Sequence, residues 1–266
     1  MSTASARVHA RREQRRAEER RVLAEREIAV WALAAAAGFV VAVSFEALFH
    51  VEVAPMTGNT IATGVQLGTR GVDASFVRAI PILAFVLGVA GGIVIAEETA
   101  RHQVRRTLAI TLAVEILLLV PYMVWASSLY RDGAVRAGSH WVLDGVVVLP
   151  SLAMGFQTAA LRRVRGQTAR TTYMSGVLTR AAEESVRFLY WRRDQKRGET
   201  TLPWHNEPSL VRIALLAGIF VAYAGGAILG AFLKTRWAMW SLAVPIGVLV
   251  TIVLADVAIA SGPPSR

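Results

Sequence analysis

Cysteine is absent from the chain of 266 residues, and only five histidines occur. The first absence excludes disulfides, thiol nucleophiles and thiolate-held metals. The second leaves little for proton or metal chemistry, because His50, His102, His140 and His205 stand in separate loops or at the ends of apolar runs. No Ser-His-Asp arrangement, metal-ligand spacing or pair of carboxylates at a plausible mutual distance accompanies them. The chain reads as a protein that is not an enzyme and carries no metal or cofactor. A cleavable signal peptide is also missing: the first apolar run is too long for one, follows a long Arg-rich stretch and lacks a clear cleavage site. That run reads as a signal anchor.

Long apolar runs, by contrast, are plentiful. Hydrophobic residues make up 54% and the mean hydropathy is +0.45, beyond an ordinary soluble domain. Crossing a bilayer takes about 20 apolar residues. Six windows are long enough: Ile28–Phe49, Phe76–Ala96, Thr107–Ser127, Trp141–Leu161, Leu210–Leu233 and Ala238–Ala260. The expectation is an all-α polytopic membrane protein, with a basic cytoplasmic tail over 1–27 and one six-helix domain over 28–266. The formal charge of +10 is spread unevenly. With the N-terminus in the cytoplasm, 23 of the 29 Lys and Arg residues fall inside and six outside. Such a bias is what orients membrane proteins. It predicts the cytoplasmic membrane with both termini inside, and explains the basicity without nucleic acid. The tail itself favours helix and is attracted to anionic lipid headgroups.

Two motifs follow long apolar segments: Met56-Thr57-Gly58-Asn59, and Met174-Ser175-Gly176 preceded by Thr171-Thr172-Tyr173. Pro55 cannot donate a backbone bond and Gly58 tolerates left-handed angles, so the chain is expected to turn at MTGN. A short half-helix over Thr60–Leu67 would follow, its N-terminus offering free N–H groups. Small residues then recur every fourth position in two places: Ala84, Gly88, Gly92 and Ala96, and Gly218, Ala222, Gly226 and Gly230, offset by 134 residues. Such stripes let helices approach closely, and the expected partners are these two helices themselves. Between copies they would make a homo-oligomer, so the oligomeric state stays open. The order span, Thr/Ser-Gly turn, glycine-stripe span, span therefore occurs twice, over about 28–127 and 141–260. Three spans per unit is an odd number, so the second copy enters the membrane upside down.

Polar groups inside the apolar runs are few. Glu46 and His50 are four apart and are expected on one helix face near the outer end. Glu115 lies within the third span, where a carboxylate must be protonated, paired or wetted. Both glutamates are candidates for proton coupling. Val177–Arg193 shows a stripe of Val177, Leu178, Ala181, Ala182, Ser185, Phe188 and Leu189 opposite Arg180, Glu183, Glu184 and Arg187, the pattern of a helix lying on the inner leaflet.

At these motifs the chain resembles the YoaK family, bacterial six-span membrane proteins of unknown function. The family's first motif is GYxDAxSF followed by a segment ending in MTGN; here Gly38–Phe45 and Met56–Asn59 are similar to it. The second is GxQNAxxR followed by a T-T-x-x-T/S-G turn; here Gly155–Arg162 and Thr171–Gly176 are similar. The departures are Val41 where the family has Asp and Thr158 where it has Asn. The resemblance implies the six-span fold but no settled activity. From the residues, the leading expectation is a transporter or channel for a small solute, with Thr57, Gly58, Asn59, Gln157, Thr172, Ser175 and Gly176 along its path. The alternative is a structural or regulatory membrane protein that binds lipid or a partner and transports nothing.

Overall fold

The computed structural model describes residues 27–48, 50–102, 104, 106–131, 140–160, 173–197 and 207–260. The basic tail and Thr172 lie outside them. Regular structure among the described residues is helical throughout. It comprises α1 (Glu27–Ala47) and α2 (Met56–Arg70), α3 (Val72–Arg101), α4 (Thr107–Arg131), α5 (His140–Ala160), α6 (Met174–Lys196), α7 (Pro208–Trp237) and α8 (Ala243–Ala260). A 3-10 turn over Ala238–Leu242 joins the last two. Four stretches are long and apolar enough to cross a membrane: Glu27–Ala47, Arg78–Arg101, Thr107–Leu129 and Pro208–Ala258, with Gly145–Ala160 a shorter one. The fourth covers both α7 and α8, which Ala238 separates with a left-handed φ of 47°.

These helices expose what a lipid solvent asks for. Leu83, Leu87, Leu117, Val221 and Ile228 are 65% to 73% exposed. In water such a coat would drive aggregation, whereas in hydrocarbon it satisfies the helix and leaves every backbone bond internal.

The main core gathers α1 (Leu33, Phe39, Val40, Val43), α4 (Leu112, Leu119, Tyr122), α5 (Val146, Val147, Met154) and α8 (Leu249), with Val51, Val53 and Ala54 of the α1–α2 connection. A smaller cluster joins Val30 and Ala34 of α1 to Val177 of α6 and Leu215, Leu216 and Ile219 of α7.

The glycine stripes of α3 and α7 do not face each other, contrary to the expectation. Gly226 abuts the Ala35 backbone and Gly230 that of Phe39, both on α1, and Gly38 of α1 abuts the Tyr223 carbonyl and Ala227 nitrogen of α7. On the other side, Gly88 abuts the Leu152 carbonyl and Gly92 meets Ala159 and Phe156, all on α5, and Gly155 of α5 abuts the Phe85 carbonyl and Val89 nitrogen of α3. A side chain at any of these positions would strike backbone or, at Gly92, the Ala159 methyl group, so only hydrogen fits. The paired residues climb together along each pair, so α1 and α7 are parallel, as are α3 and α5.

The two crossings use corresponding atoms. Phe85 and Tyr223, Gly88 and Gly226, Val89 and Ala227, and Gly92 and Gly230 are each 138 residues apart, and Gly38 and Gly155 are 117 apart. The spatial correspondence is thus 138 residues rather than 134. A stripe with a small residue at every fourth position matches itself when slid by one turn, and the contacts select the other register.

The two crossings also point in opposite directions. Gln157, late in α5, reaches the Leu33 carbonyl near the start of α1. Gly145, early in α5, meets Trp125, one turn from Tyr122, which bonds Ser44 near the end of α1. α5 therefore descends while α1 rises.

Candidate functional site

Both sequence motifs begin helices. Met56 is the first residue of α2 and Met174 the first of α6. The residues before them, Pro55 and Tyr173, carry similar ψ angles of 88° and 73°. MTGN is therefore a helical first turn rather than a left-handed one, and α2 starts four residues earlier than expected. Among the described residues, positive φ occurs at His50 (φ 62°), Gly71 (φ 86°) and Ala238.

Residues 51–54, between α1 and α2, pass through the core outside any helix, with Val53 fully buried and Val51 and Ala54 nearly so. Non-helical backbone among apolar side chains needs partners for its N–H and C=O groups. Asn59 supplies both. Its Oδ1 accepts from Glu52 N at 3.1 Å, and its Nδ2 donates to Glu52 O. A side-chain amide is suited to this, having a donor and an acceptor side by side, and Asn59 is fully buried. The bracket aims Glu52 back at α2, where Glu52 Oε2 accepts from Gly58 N at 3.0 Å. A carboxylate there meets the positive end of the helix. The first turn of α2 is thus occupied by the chain's own anion, and its Gly58 N–H is not free. Glu52 lies within electrostatic reach of Arg78 and Tyr223, and Arg78 donates to the His50 carbonyl. Sequence reading missed Glu52, Arg78 and Tyr223. Glu52 stands before the proline, outside any local capping pattern, and nothing in the spacing brings it to α2.

Other expected residues divide. Thr57 is exposed beside the bracket, and Ser175 is exposed at the start of α6, where Gly176 lies against the Tyr173 ring. Gln157 is buried and ties α5 to α1 through Nε2 and the Leu33 carbonyl at 3.0 Å. Thr158 bonds the Met154 carbonyl of its own helix. Glu46 and His50 do not share a helix face, since α1 ends at Ala47. Glu46 pairs with Lys234 of α7 at 3.3 Å, and the His50 ring stands edge-on to Phe45. Glu115 is fully buried. Asp256, near the end of α8, accepts from Ala109 N in the first turn of α4 at 3.2 Å.

On α6 the expected polar face needs one correction. Glu184 is buried, and its Oε1 receives Arg187 and Arg212 of α7 at 3.3 Å each. Val177, Ala181 and Glu184 face α7, while Leu178, Leu189 and Tyr190 remain half exposed or more. The pair turns α6 on its axis so that part of its apolar stripe stays free.

Among the described residues no group of three or more His, Asp or Glu could hold a metal. No solved structure matches the chain. The UPF0700 transmembrane protein YoaK of Bacillus subtilis (strain 168) is 24% identical over 163 residues, which are 60% of this chain and 67% of that protein. The profile described as "Protein of unknown function (DUF1275)" matches residues 29–255, which take in both glycine crossings, the Asn59 bracket and the α6–α7 pair. By that match the chain belongs to the DUF1275 family, that of YoaK, and is a helical membrane protein.

Proposed function

We propose that the chain conducts a small polar solute across the cytoplasmic membrane, between two three-helix repeats of opposite orientation. One repeat is α1, α3 and α4, with α2 after its first helix. The other is α5, α7 and α8, with α6 in the matching place. The observation that carries this reading is the pair of glycine crossings, made by corresponding residues and running in opposite directions. Inverted repeats with short helices in corresponding places are characteristic of transporters. The basic residues set the orientation, with both termini and α6 on the cytoplasmic side. Arg180, Arg192 and Arg193, beside the free apolar side chains of α6, then lie where anionic headgroups are.

The path is assigned to the starts of α2 and α6, with Thr57, Asn59, Ser175 and Gln157 near it. Because Glu52 already neutralises the start of α2, the solute there is uncharged or positive rather than anionic. The reading includes no catalytic step. Absence of cysteine makes the test clean. Thr57→Cys and Ser175→Cys, placed singly, are labelled with a membrane-impermeant thiol reagent in intact cells and in inverted vesicles. Labelling from opposite sides is the expected result. Labelling of both from one side removes the inversion and leaves the second reading, a lipid- or partner-binding protein, which the free apolar face of α6 favours. Solute uptake that survives Gln157→Ala and Asn59→Ala, in protein that still folds, removes the path.

A further inference from the structure

Buried oxygens without a partner concentrate on α4 and α5: both oxygens of Glu115, Ser127 Oγ, Ser151 Oγ and Gln157 Oε1. Gln157 cannot relieve this by turning over. Its Nε2 donates to the Leu33 carbonyl, a group that only accepts, so the amide oxygen must point away.

Glu115 and Gln157 lie at nearly one depth. Gly145 on α5 meets Trp125 on α4, and the two helices are antiparallel. Ten residues back along α4 from Trp125 is Glu115, and ten forward along α5 from Gly145 is Gly155, two residues before Gln157. At about 1.5 Å per residue, the axial separation is about 3 Å from Gln157, while Ser151 stands about 9 Å from Gln157 and on another face of α5. Glu115 also sits mid-stripe on the buried face of α4, flanked by Leu112, Leu119 and Tyr122.

Among the described residues, no charged side chain of a packed neighbour answers it. Residues 28–45 of α1 and 79–96 of α3 carry none. On α8 the one charged group is Asp256, occupied at Ala109 N six residues before Glu115. The described side chains of α5 and those of the 3-10 turn include none. Tyr122 is engaged with Ser44. An ionised carboxylate in such surroundings is untenable without a countercharge.

We infer that Glu115, with Gln157 Oε1, binds a single positive charge inside the bundle, either a proton or an alkali-metal cation. Carboxyl and amide oxygens suit both, as acceptors for a carboxyl proton or as hard ligands. The site deepens the transport reading by naming its coupling ion, and rests on that reading for its role in transport but not for its binding.

The test uses the full chain in vesicles of neutral lipid and dicyclohexylcarbodiimide, which attacks protonated carboxyls in apolar surroundings, with modification of Glu115 read by mass spectrometry. The expected result is modification that falls about tenfold per pH unit above the titration midpoint and is absent in Glu115→Gln. Slowing by sodium at fixed pH identifies a metal cation. Equal rates in sodium and in choline salts identify the proton. Gln157→Leu is expected to move the pH midpoint or the protecting sodium concentration about tenfold, and an unchanged profile removes Gln157 from the site. Modification independent of both pH and sodium, or none at any pH, makes Glu115 a fixed structural acid and overturns the proposal. Because no solute is needed, a titrating Glu115 without uptake sinks only the transport reading. Uptake with an inert Glu115 sinks only the site.

Discussion

The α1–α7 and α3–α5 crossings share a backbone geometry and differ in what surrounds it. In both, a glycine of one helix (Gly38 of α1, Gly155 of α5) lies on a carbonyl and a nitrogen of the glycine-rich helix beside it. Around α1–α7 the neighbours are polar: Trp31 Nε1 donates to the Leu215 carbonyl at 3.3 Å, and Glu46 pairs with Lys234 at the far end. Around α3–α5 the neighbours are apolar, with the Phe156 ring over Gly91 and Ala159 on Gly92. Steric exclusion at a backbone contact admits one residue and so keeps the two crossings alike. The groups beside it tolerate alternatives and differ.

Five substitutions probe that comparison, each read as a shift in unfolding of the detergent-solubilised protein. The largest effect is expected where the crossings agree. Gly38→Val and Gly155→Val each place a branched side chain against backbone that cannot move aside, and each should lose about 3 kcal/mol or more. A large loss at one and none at the other would break the equivalence. Trp31→Phe keeps an aromatic ring, though a smaller one, and deletes the indole N–H, so about 1 kcal/mol or somewhat more should go from the α1–α7 side alone. Lys234→Met should lose less, below about 1 kcal/mol and fading with salt, because Glu46 is half exposed. Gly225→Ala sharpens the contrast at its lowest end. Gly225 adjoins Gly226 in sequence, yet a methyl there meets nothing within 4 Å. The change should be neutral or stabilising by up to about 1 kcal/mol.

The helices were legible from hydropathy because a bilayer imposes length and apolarity on each one separately. The glycines were legible as contact points for a similar reason, since a row of small residues is visible within one helix. Their partners were not. A flat stripe records that something comes close and carries no label for what, so the stripes of α3 and α7 read as partners of each other instead of partners of α5 and α1. MTGN and MSG stood out in the sequence, but their helical conformation did not, because Gly58 fits a turn and a first helical turn equally well. Glu184 seemed to belong to the polar face of α6 until Arg212, 28 residues on, drew it inward. Glu52 and Arg78 were passed over because a buried bracket built across a loop leaves no periodic trace.

The partnership of α1 with α7 bears on how the protein is made. Trp31 and the residue it bonds, Leu215, are 184 positions apart. At roughly 5–20 residues per second, synthesis takes about ten to forty seconds to cover that interval. Throughout it the bare backbone at Gly38 has no partner helix. A nascent chain stalled after α4 therefore holds an unfinished α1, open to whatever small-residue helix it meets first in the bilayer. The α1–α7 crossing closes only once α7 has been made.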